Sequence, residues 1–184
     1  MTKFDKNVRQ TRTVIIALFN KIWGKWKLSC LSQKGRNMEK FISIKENVQT
    51  EIVVKKSKFI CNLIKVESQE EAEEYIKKIK KKYYDARHNC VAYRVIQNEQ
   101  VVEKSSDDGE PSGTAGGPML NILQKNNLGN VLVVVTRYFG GILLGTGGLV
   151  RAYSDATLNA IEISEMVEKC IGIEAEIELD YNNL

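Results

Sequence analysis

Two stretches of the chain hold residue types that could do chemistry. The first, residues 105–118 (SSDDGEPSGTAGGP), brings Asp107, Asp108 and Glu110 close together. Such carboxylates suit a hard cation such as magnesium, which takes few protein carboxylates and keeps several waters. The same letters read equally as turn chemistry, Asp-Gly and Pro-Ser-Gly, with Thr114 or a neighbour capping the next helix. His88 is the chain's only histidine, which excludes a multi-histidine metal centre. It lies two residues from Cys90, so on a strand both would share a face, as a Cys-His dyad or as a packed pair.

The second stretch, residues 137–153 (RYFGGILLGTGGLVRAY), places Gly140, Gly141, Gly145, Gly147 and Gly148 within nine positions. Glycine permits positive φ and lets another backbone or a ligand come close. A helix beginning near Gly147 would present free N–H groups to an anion, with Arg137 and Arg151 supplying charge. Gly140 and Gly145 have the spacing of a Walker A loop, but Thr146-Gly147 stands where Lys-Ser or Lys-Thr is required. G-x-G-x-x-G is also absent, so ATPase and dinucleotide readings are disfavoured. What remains is a phosphate or RNA-backbone site, contacted by Arg87, Arg137, Tyr138 and Arg151, or a structural tight turn.

These loops need a scaffold, and the pattern around them supplies one. Residues 51–54 and 58–66 are rich in Ile, Val and Phe and read as strands. Residues 68–83 form the clearest helix: Ser68 and Glu71 make a capping box, and Ala72, Tyr75, Ile76, Ile79 and Tyr83 recur at helical spacing. Glu73 to Lys77 and Glu74 to Lys78 are set as i,i+4 pairs, and the closing KKIKKK reads as a solvated helix end or a nucleic-acid contact. Strands follow near 89–96 and 100–104, joined by Asn98-Glu99, and then a helix over about 115–126. VLVVVT at 131–136 is continuous enough for a strand covered on both faces or lying centrally. Leu149, Val150, Tyr153, Thr157, Ala160 and Ile161 mark a second amphipathic helix after the glycines. Residues 171–181 alternate apolar with acidic, as an additional strand would.

Composition narrows the class. The 184 residues suffice for one well-buried domain with extra segments, and 43% hydrophobic with 27% charged residues is ordinary for a globular protein. Cys30, Cys61, Cys90 and Cys170 are scattered without a C-x-x-C pair and read as free thiols in a reducing cytoplasm. The net charge of +4 comes from residues 1–37, which carry nine Lys or Arg and one Asp. Residues 38–169 are neutral, so nucleic-acid binding would need a local patch. TVIIALF in the first segment is too short to span a membrane. That segment reads as a disordered extension with Met38 as functional start, or as a basic amphipathic helix.

The motifs KSKFIC (56–61), DARHNCVAYR (85–94), SDDGEPSGTAGGPML (106–120) and VVVTRYFGGILLGTGGLVRAY (133–153) resemble the Impact N-terminal domain family, in its bacterial YigZ-like branch. The resemblance implies an α+β fold: a two-layer sandwich like the second domain of a small-subunit ribosomal protein, with a mixed sheet and helices on one face. It does not cover the extension (1–37); it implies the Impact domain (38–169) and the first strand of a truncated C-terminal ferredoxin-like domain (170–184). Eukaryotic relatives regulate translation. The expected function is therefore a cytoplasmic binding module linked to translation or stress, contacting RNA, the ribosome or a translation-regulatory protein, with no membrane, metal or cofactor implied. The alternatives are a hydrolase built on the acidic loop and His88, and a protein-interaction domain.

Overall fold

The computed structural model of the chain describes residues 40–97 and 100–170. The extension expected over 1–37, the Asn98-Glu99 link and the strand expected over 171–181 lie outside these described residues. The fold is the compact unit Phe41–Lys169.

Five strands form the central sheet in the order β2 (Val48–Val54), β3 (Ser57–Lys65), β6 (Val131–Tyr138), β4 (His88–Gln97) and β5 (Gln100–Ser106). All four of its pairings are antiparallel. β1 (Lys40–Ile44) and β7 (Met166–Cys170) form a separate two-stranded sheet. A parallel contact is made by the isolated bridge between Ile42 and Leu128.

The three helices are α1 (Gln69–Lys82), α2 (Gly116–Lys125) and α3 (Gly145–Glu162). The α+β class is as expected, and the layering is richer than two layers with helices on one face. Successive strand side chains alternate between faces, and β3, β4 and β6 are apolar on both. Phe59, Cys61, Leu63, Val133 and Val135 point toward α2 and α3, where Met119, Leu123, Ala152, Tyr153 and Ala156 meet them. Ile60, Ile64, Tyr93, Leu132 and Val134 point the other way, toward Ala72, Ile76 and Ile79 of α1. The continuous run of β6 is the sequence counterpart: two covered faces leave no solvent side to be polar.

The start of α1 follows its sequence. Ser68 Oγ accepts from Glu71 N at 3.1 Å, a cap of the kind worth about 1 kcal/mol. Glu71 Oε2 accepts from Glu67 N at 2.7 Å, one residue before the position a standard capping box uses. The Glu74–Lys78 pair forms at 3.5 Å. Glu73 turns away from Lys77 and bonds Lys104 of β5 at 2.7 Å, because α1 lies across the sheet and offers it a partner there.

Candidate functional site

Strand register gathers both chemistry-bearing stretches at one end of the sheet. Val54 pairs with Ser57, Lys58 with Tyr138, His88 with Arg137, and Val91 with Ser106. The Lys55-Lys56 turn and the loops 83–87, 107–115 and 139–144 therefore all emerge at this end.

The three carboxylates of the acidic loop are each held by protein donors. Asp107 Oδ1 accepts from the N–H groups of Ala115 at 3.0 Å and Gly116 at 2.8 Å, while Oδ2 accepts from Gly113 N at 2.8 Å. This remote carboxylate does what a local cap would do for α2, whose N-cap Ala115 has no side chain for the task. Burial acts to raise the Asp107 pKa, yet the N–H groups of Gly113, Gly116 and Ala115 together hold it below the usual carboxylate value. Asp108 Oδ1 takes Lys80 Nζ at 2.6 Å and its Oδ2 takes Asn89 N at 2.7 Å.

Glu110, which could have served a cation, and Arg137, which could have served an anion, bind each other. Glu110 Oε1 accepts from Arg137 Nη1 at 2.7 Å and from Tyr153 Oη at 2.9 Å. Only 7% of the Arg137 side chain and 3% of the Glu110 side chain is exposed. The guanidinium also lies 5.6 Å from the ring centroids of both Phe59 and Phe139. A paired cation between aromatic rings is packing, not a waiting phosphate clamp. Arg137 Nε has no hydrogen-bond partner.

His88 and Cys90 both face the acidic loop but address different carbonyls. His88 Nδ1 lies 3.0 Å from the carbonyl oxygen of Asp108, and Cys90 Sγ donates to that of Asp107 at 3.0 Å. Burial pushes the Cys90 thiol up to about 12, so it is a poor nucleophile near neutrality. Among the described residues, no group of three or more His, Cys, Asp or Glu side chains could hold a metal ion.

The glycines divide by what demands them. A side chain on Gly140 would collide with the Lys56 carbonyl, and Gly140 N donates to Ser57 Oγ at 3.2 Å. Gly141 and Gly145 hold φ of 84° and 73°. A side chain on Gly148 would crowd Leu144 Cβ at 3.0 Å. Gly147 differs: a Cβ there would meet nothing within 4 Å. The start of α3 has no side-chain cap and no acid in its first turn.

Of the residues expected to carry charge to this end, Arg87 and Arg151 are exposed and have no ion-pair partner among the described residues. Tyr138 donates to Asp85 Oδ1 at 2.8 Å. Desolvation first, then that bond, pushes its phenol up to about 12. Sequence reasoning missed Lys55 and Lys56, the two residues between paired Val54 and Ser57, which hold φ of 45° and 66°. The two-residue spacing between apolar strands was a signal, but Lys-Lys is not a pair that announces a turn. It also missed the exposed apolar tip of loop 139–144, where Phe139 is 54% and Leu143 82% exposed.

Comparison with known proteins gives this geometry a family. The model of the Impact N-terminal domain matches residues 55–161, from the lysine turn to the last turn of α3. The chain belongs to the Impact family. The IMPACT family member YvyE of Bacillus subtilis is 48% identical over 132 residues, covering 72% of this chain and 60% of the relative. The IMPACT family member YigZ of Escherichia coli is 39% identical over 132 residues, covering 71% of this chain and 65% of the relative, so the chain is of the YigZ-like type. A crystal structure described as that of a hypothetical protein superposes with a TM-score of 0.67 at 39% identity, covering 73% of this chain and 66% of the other. The chain thus spans less than two thirds of the length of both named relatives. Among the described residues no helix is long and apolar enough to cross a membrane.

Proposed function

We propose that this Impact-family chain is a cytoplasmic regulatory module linked to translation or stress, which works by binding the ribosome or a translation-regulatory partner and not by catalysis. The observation that supports it is the state of the acidic loop: Asp107, Asp108 and Glu110 each already hold a protein donor. A metal or an activated water would have to displace those bonds, including a buried ion pair whose disruption costs several kcal/mol. The link to translation rests on the family resemblance. Arg87 and Arg151, exposed and unpaired among the described residues, supply the surface through which an anionic partner would be met.

The test is co-sedimentation of the chain with purified ribosomes across a salt series. The reading expects binding that weakens with salt and weakens further when Arg87 and Arg151 are both replaced by alanine. Binding absent at low salt, or indifferent to both changes, would sink it.

A further inference from the structure

We propose that the Lys55-Lys56 turn and loop 139–144 together form a docking surface for an acidic, apolar segment of another protein. The inference rests on the reading of this chain as a binding module and names the chemistry of its partner.

The turn is the first reason. Two-residue hairpin turns with positive φ at both central positions normally take Asn or Gly, because a Cβ is penalised in that region. Here both positions are lysine, at 45° and 66°, and both side chains are exposed without an ion-pair partner among the described residues. Conformations held against local preference gather where a surface is used.

The second reason is what the turn touches. Gly140 is packed so closely on the Lys56 carbonyl that no side chain fits between them, which fixes the lysine turn against the loop that follows. That loop carries Ile142 and Leu143 outward, 43% and 82% exposed, beside Phe139. Aliphatic tips of this kind fill apolar pockets on proteins, and Ile142 and Leu143 lack the aromatic face on which the bases of a single strand stack.

Charge decides the sign of the partner. Of the acids in loops 83–87 and 107–115, Asp108 is charge-paired with Lys80 and Glu110 with Arg137; Asp85 and Asp107 keep their charge, bonded only to Tyr138 and to backbone N–H groups, and are outnumbered by the cations there. Lys55, Lys56 and Arg87 form no ion pair among the described residues, nor does Arg151 on α3, although Asp155 lies one turn further along that helix. Cations around an apolar tip complement a segment in which Asp or Glu alternates with Leu, Ile or Phe.

A random dodecapeptide phage library, selected on the chain and counter-selected on Leu143→Asp, tests this. Peptides rich in acids and large apolar residues are expected, and fluorescence anisotropy of the recovered peptides should lose about fivefold in affinity for Lys55→Asn/Lys56→Gly. That double variant relieves the turn, so its Tm should rise by about 4 °C while binding falls, a split that a structural role would not produce. Selected peptides without acid enrichment, or unchanged affinity in the double variant, overturn the proposal. So does tighter binding of oligouridine through the same residues. Peptide binding with no ribosome co-sedimentation would support the docking surface and remove only the translation partner.

Discussion

Arg137 and Glu110, 27 residues apart in sequence, meet at 2.7 Å with their charges almost wholly removed from water. Removing one partner strands the other. Glu110→Ala should therefore cost about 3–5 kcal/mol in urea unfolding, whereas Glu110→Leu combined with Arg137→Met should recover much of the loss. If Glu110→Ala unfolds with unchanged midpoint and slope, the pair contributes nothing to stability.

Asp107 gives the fold an acid-sensitive component. Its pKa lies lower folded than unfolded, so the stability it contributes is present above the unfolded value and is lost as pH falls through the folded one. Thermal unfolding from neutral to strongly acidic pH should show that loss, and Asp107→Asn should flatten it while lowering Tm at pH 7. An identical pH profile for the variant would show that the three N–H bonds do not depend on the charge.

Gly140 and Gly147 should respond oppositely to alanine. Gly140→Ala drives a methyl into the Lys56 carbonyl and should cost about 2–4 kcal/mol. Gly147→Ala enters open space in the first turn of α3 and should gain about 0.5 kcal/mol. Calorimetry on both variants checks the contrast. Weaker ribosome binding by the more stable Gly147→Ala would show that the missing side chain serves a ligand.

Cys61 and Cys90 should resist alkylation in the native protein. Burial raises both thiols to about 12, so the reactive thiolate is scarce at neutral pH. Mass spectrometry after iodoacetamide treatment should find both unmodified until denaturant is added. Fast labelling of Cys90 without unfolding would revive the reading of His88 and Cys90 as a reactive pair.

Much of the scaffold is legible in the sequence because its signals are local. Ser68 caps α1 through a bond three residues long, and VLVVVT announces a strand covered on both faces by containing nothing polar before Thr136. The site is harder, because its contacts join distant segments. Nothing near Arg137 says that Glu110 will neutralise it, and nothing near Asp107 says that the start of α2 will consume its oxygens. Loop carboxylates and strand-end arginines look alike in sequence whether they await a ligand or bind each other. The lysine turn was obscured for another reason: its residues contradict the conformation they adopt, and pattern reading follows preference.

Asp107 and Asp108 are consecutive, yet one holds α2 and the other holds α1, helices that lie on opposite faces of the sheet. A single short segment thus fastens both outer layers around the end of the sheet. Opening it releases restraints on each side at once, so amide protons in α1 and α2 should exchange through one shared event, with neither layer peeling away independently.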